Sequence, residues 1–252
     1  LEPNKKKERA WYVLFPVHTG AGKVLVIGSF GWFKGADCFT FNVDLKSSNS
    51  EKLSAIDRDR IKQEQATRRQ IIEDEQKLEA KRAADKALSI WNACGQNGHS
   101  KYLQRKKISA LGVRFSRGSI VIPVLNFSGE LCGLQFIDAD GQKRFLTGTQ
   151  KKGHFAPLGE VHDPCGYVGV AEGYATGASC HMATKWPVFV AFDAGNLKNV
   201  AMAVRGRYPM AKVIVFADDD VDNPENPGRS KAMLAARAVG GLALFPDLAE
   251  AT

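Results

Sequence analysis

Two apolar stretches of the chain end abruptly in carboxylates. Val168, Gly169, Val170 and Ala171 run into Glu172 and Gly173; Val213, Ile214, Val215, Phe216 and Ala217 run into Asp218, Asp219 and Asp220. Continuous hydrophobicity, rather than alternation, marks both as buried parallel strands. Side chains on a strand alternate between faces, so Asp218 and Asp220 share one side and Asp219 takes the other. If the two strands are neighbours, Glu172, Asp218 and Asp220 converge at one edge of a sheet. Carboxylates gathered in a small volume repel one another unless a cation sits among them. Oxygen-only ligands suit a hard ion, Mg²⁺ or Mn²⁺. A single acidic strand end needs no such role, because strand ends are commonly acidic and solvated. The pairing of two, each followed by a helix, is what points to a site.

The positive charge is concentrated elsewhere. Of the net +8, residues 1–100 carry +4 and residues 101–158 carry +7, while residues 159–252 carry −3. A basic middle beside an acidic C-terminal part suits a polyanion-binding surface next to a metal site. Lys101, Arg105, Lys143, Arg144, Lys151 and Lys152 are the candidate contacts to nucleotide or DNA. Lysine meets phosphate as a mobile point charge. Asp193 and Asn196 follow a short apolar run at 187–192 and belong to the same sheet edge. There they either orient nucleotide or metal, or cap their own loop.

The elements that must position these residues read as follows. Alternating strands and helices from residue 161 onward imply a largely parallel, helix-flanked sheet with ligands at the carboxyl ends of its strands. Upstream, 120–125 and 131–137 read as paired strands, 142–146 begins the next, and the turn residues between them include Phe127, which has no assigned role. Residues 51–94 are nearly free of Gly and Pro and rich in Glu, Gln, Lys, Arg and Ala, as in a long helix of about 60 Å. Its apolar positions, among them Ile56, Ile61, Ile71, Ile72, Leu78, Leu88 and Trp91, are sparse, so it reads as a connector. Residues 11–16 and 24–27 read as strands of a small β module with Trp11, Phe15, Phe30, Trp32, Phe39 and Phe41 in its core. The expected divisions are 1–50 (small β module), 51–96 (connector helix), 97–160 (basic subdomain) and 161–252 (the acidic-site domain).

The acidic words have a known likeness. Ala171-Glu172-Gly173-Tyr174-Ala175-Thr176, Ala191-Phe192-Asp193-Ala194-Gly195-Asn196-Leu197 and Ala217-Asp218-Asp219-Asp220 resemble the TOPRIM domain in its plasmid- and phage-type primase form, related to the bacterial replicative primase. The likeness spans roughly residues 98–248. It implies an α/β fold: a TOPRIM domain, mostly parallel sheet flanked by helices, preceded by a basic mixed α+β subdomain, a long helix and a small N-terminal β module. It implies a primase catalytic core that makes short primers by metal-dependent nucleotidyl transfer. Glu172, Asp218 and Asp220 would be catalytic and metal-ligating, with Asp219 and Asp222 assisting through water or a second ion. Lys143 resembles the first family lysine of the basic subdomain and Lys152 the second. Where the family often has an arginine after the second strand of that block, this chain has Gln135, Phe136 and Ile137. The implied partners are single-stranded DNA, nucleoside triphosphates and a replicative helicase.

Other classes fit less well. A topoisomerase needs a tyrosine nucleophile in a separate large domain, which 252 residues do not accommodate. A TOPRIM-type nuclease would use the carboxylates but not the basic strands. A DNA-binding replication accessory protein would not need the acidic words intact. The GAGK word at residues 20–23 lacks the spacing of a phosphate-binding loop. Five scattered cysteines form no CxxC pair, against a zinc module or a disulfide framework. No run reaches membrane-spanning length and no signal peptide is visible, so the expected setting is cytoplasmic.

Overall fold

The computed structural model describes residues 9–18, 22, 24–34, 37–43, 55–161, 166–217 and 227–246. They fall into two compact units, Leu1–Glu75 and Gln76–Thr252, with the division inside the long helix α1 (Ala55–Ala93).

The first unit is an antiparallel meander, β1 (Arg9–His18), β2 (Val24–Lys34) and β3 (Asp37–Val43), with the first half of α1 beside it. The sequence reading stops the second strand at residue 27 and has no third, because Gly28 and Gly31 interrupt the apolar pattern. Gly28 instead lets the β2 backbone press against β1: a Cβ there would stand 1.9 Å from the Val13 carbonyl oxygen. The expectation for the aromatic core is corrected at three positions. Phe30, Trp32 and Phe41 remain 41%, 37% and 45% exposed, with their rings in an offset stack at 5.6 and 5.1 Å. The reason is strand alternation. Phe30 and Trp32 share a face with the exposed Tyr12, Leu14 and Val26, while Gln65, Arg69 and Ile72 of α1 border a cleft with Val13 and Ser29. The side chains of Trp11, Phe15 and Phe39 lie outside the described residues.

The second unit holds two sheets. β4 (Arg114–Ser116), β5 (Ser119–Leu125), β6 (Leu131–Ile137) and β7 (Lys143–Phe145) form an antiparallel meander preceded by the short helix α2 (Lys101–Lys106). β8 (Ala156–Leu158), β9 (Tyr167–Ala171), β10 (Val188–Val190), β11 (Lys212–Phe216) and β12 (Leu242–Leu244) form the other, in the order β12-β11-β9-β10-β8. Every pairing in it is parallel except β8 on β10. β8 comes from the segment grouped by sequence with the basic subdomain, yet it completes the second sheet.

Helices α3 (Tyr174–Thr184), α4 (Leu197–Arg207) and α5 (Pro227–Ala238) flank this sheet. On one face Val168, Val170, Val213 and Val215 are buried with α4 and α5 residues such as Val200, Val204 and Ala235. On the other, Ala171, Val188, Val190 and Phe216 are buried with Tyr174 and with Ile120, Ile122 and Val124 of β5. That shared core fixes the antiparallel sheet to the parallel one. The end of α1 packs against the outer face of the meander through Ala87, Cys94, Val121 and Leu134.

Candidate active site

β9, flanked by β11 and β10, is the centre of the site. Ala171 pairs with Phe216 on one side and Val190 on the other, so three strands end in one row. The chain leaves that row at Glu172, at Ala217 and at Ala191. Glu172 N–H donates to the Phe216 carbonyl (3.3 Å), and Ala191 N–H to the Ala171 carbonyl (2.7 Å). The neighbouring placement of the two acidic strands is thus observed. Glu172 is half-buried at the strand end, just before the N-terminus of α3. Asp218, Asp219, Asp220 and Asp222 lie outside the described residues, and no group of three potential metal ligands occurs among the described ones. Glu172 brings carboxylate oxygen alone, the donor a hard cation takes.

β7 crosses this row from the other sheet. Lys143 Nζ lies 3.6 Å from where a Cβ on Gly173 would stand, which puts its ammonium at the Glu172–Gly173 turn. Two residues on, and so on the same face, Phe145 packs edge-on against Phe192 beyond β10 (5.6 Å, 81°). Phe192 is buried with φ +73°, a costly conformation for a residue with a Cβ. It aims the next residue, Asp193, back at the basic segment. Asp193 Oδ2 meets Lys151 Nζ at 2.7 Å, and its Oδ1 accepts the Asn196 N–H (3.0 Å). Asn196 is buried, and its side chain bonds the backbone of residues 151–154.

The remaining basic candidates stand apart. Arg144, on the opposite face of β7, faces Asp138 at 3.5 Å and is largely exposed. Arg105 donates to the Ala139 carbonyl (3.0 Å). Lys101 and Lys152 are exposed, Lys152 on the turn beside Asn196.

Two features escape the sequence reading. Phe127, given no role there, joins Phe155 (4.4 Å), Phe189 (5.5 Å) and Tyr208 (6.3 Å) in an aromatic cluster. Tyr174 sends its hydroxyl to residue 111: it donates to the Leu111 carbonyl (2.9 Å) and accepts from its N–H (2.8 Å). Burial pushes this phenol far above its usual range, more than the Leu111 bond lowers it. Neither feature has a local sequence signal, since Tyr174 and Leu111 are 63 residues apart and the partners of Phe127 all lie well downstream of it.

Residues 167–247, which hold the parallel strands β9–β12 of this α/β fold, match the family model described as the Toprim domain. Two curated relatives, both DNA primase TraC of Escherichia coli, are 40% identical over 159 residues and 38% identical over 134 residues. These matches cover 60% and 51% of this chain but 11% and 13% of the relatives, so the chain spans a small part of their length. Among solved structures, the DnaG primase catalytic domain bound to single-stranded DNA aligns with a TM-score of 0.45 at 12% identity, covering 70% of this chain and 76% of that one. Bacteriophage T7 lagging-strand DNA polymerase with primase domains of two gp4 subunits, bound to an RNA/DNA hybrid and dTTP, aligns with a TM-score of 0.42 at 16% identity, covering 60% and 76%.

Proposed function

We propose that this chain carries a DNA primase catalytic core, which joins nucleoside triphosphates into short primers on single-stranded DNA. The observation that carries the reading is the register of β9 with β11, which sets Glu172 beside the strand leading into Asp218, with Lys143 at the same turn. The Toprim match and the relatives' names support it.

In nucleotidyl transfer a 3′-hydroxyl oxygen bonds the α-phosphorus and pyrophosphate leaves. The protein supplies position and charge stabilisation rather than covalent chemistry. Glu172, Asp218 and Asp220 would hold a hard divalent cation, with Asp219 and Asp222 in support; when bound, the ion activates the hydroxyl and neutralises phosphate charge. Lys143 attracts phosphate to the Glu172–Gly173 turn, and its exposed stem lets it follow the group. The N-terminus of α3 adds a favourable dipole for anions. A replicative helicase partner and a cytoplasmic setting belong to the same reading; no helix of the described residues is long and apolar enough to cross a membrane.

The test is primer synthesis on single-stranded DNA with labelled nucleotides and Mg²⁺ or Mn²⁺. Asp218→Asn combined with Glu172→Gln should abolish product at saturating template and metal, while binding to single-stranded DNA changes little. Primers made by that double variant at the parental rate would refute the assignment of the acidic cluster.

A further inference from the structure

Lys151, Lys152, Asp193 and Asn196 have so far been one group of candidate contacts, but their geometry separates them. Residues 151–154 form a tight turn closed by the His154 N–H on the Lys151 carbonyl (2.9 Å). Gly153, third in the turn, has φ +77°, where glycine is at ease. Asn196 takes up the turn's inward-facing polar groups. Its Oδ1 accepts the Gly153 N–H (2.8 Å), and its Nδ2 is shared among the carbonyls of Lys151 (2.8 Å), His154 (3.0 Å) and Ala191 (3.0 Å). One side chain, 4% exposed, thus ties the turn to the end of β10. The two lysines then differ. The Lys151 ammonium is engaged by Asp193 (2.7 Å) and lies over the Phe145 ring (5.1 Å). Lys152 stands exposed on the turn and makes no ion pair with a described residue.

We infer that Asn196 is a positioning residue that holds the 151–154 turn so that Lys152, and not Lys151, meets phosphate. This deepens the proposed function and rests on it. The phosphate is that of the template backbone or of the incoming nucleotide, and two ligands separate these: a 16-nucleotide oligothymidylate and ATP.

Affinity for each is measured across a salt series. Lys152→Ala should weaken binding of one of them. If that ligand is the oligonucleotide, the salt slope should fall by about 0.7, the value for one phosphate contact on a single strand. Lys151→Ala should leave the slope unchanged. Asn196→Ala should weaken the same ligand several-fold in the parent and add nothing to Lys152→Ala, as expected of a residue that acts through another. If Asn196→Ala fails to fold, Asn196→Asp keeps the bond from Gly153 and loses the donors, and enters the same cycle. Equal losses from the asparagine substitution with and without Lys152 mean a general structural role and overturn the inference, leaving the proposed function intact. A slope loss in Lys151→Ala equal to that in Lys152→Ala also overturns it. If Lys152→Ala affects neither ligand, the inference falls, while the proposed function, which rests on the acidic strand ends and Lys143, stands.

Discussion

Tyr174 shows how one side chain can secure the segment that follows α2. Its hydroxyl both donates to and accepts from the Leu111 backbone. Tyr174→Phe keeps the ring and strips both Leu111 groups of their partner, so a loss of about 1–3 kcal/mol is expected in denaturant unfolding. There is also a pH signature. The folded phenol's pKa is raised, chiefly by burial. Its contribution to stability is therefore complete below the unfolded value of about 10 and declines as pH rises beyond it. Parental melting temperature should fall between about pH 10 and 11 more steeply than that of Tyr174→Phe; parallel curves would clear Tyr174 of that dependence. At this scale the sequence is readable where chemistry is concentrated locally. Glu172 is visible because an apolar run ends on it. Asn196 as a clamp is not visible, because its amide partners at 151 and 154 lie over forty residues upstream.

At the scale of elements, periodicity locates β5, β6, β9 and β11 and their order, because continuous burial leaves continuous hydrophobicity. It fails on β3, where a Gly-rich approach hides a strand, and on the face of α1 that matters. The large aliphatics Ile56, Ile71, Ile72, Leu78 and Leu88 are all substantially exposed. The buried positions of its second half are Ala83 and Ala87, one turn apart on one helical face, with Cys94 buried just past its end. Small side chains are what a close helix–sheet approach requires, and alanine in a charged helix does not stand out by composition. Ala87→Leu should destabilise the protein by about 1–3 kcal/mol through overpacking. Leu88→Ala, one residue away on the exposed side, should stay within about 0.5 kcal/mol. Equal effects in a denaturant titration would mean the helix packs on a different face.

For the whole molecule, the chain divides into two compact units within the continuous helix α1, between Glu75 and Gln76, a boundary that no change of composition marks. Residues 76–252 contain the two sheets of the second unit and the core they share, so this segment made alone should unfold cooperatively. The full chain should show a transition at the same temperature, with any signal from residues 1–75 separate from it. A segment that melts well below the corresponding transition of the full chain would show that the two units stabilise one another.

β8 carries a consequence for synthesis on the ribosome. Its partner, β10, lies 30 residues downstream, between Leu158 and Val188. At about 5–20 residues per second, β8 waits roughly 1.5 to 6 seconds for the strand it will pair with. Until then the nascent meander trails an unpaired apolar strand. Two properties limit the hazard: β8 is three residues long, and Pro157 at its centre has no N–H to offer a wrong partner. Translation pauses placed between residues 158 and 190 would lengthen that exposure, and those are the codons at which the yield of folded protein should depend most on speed.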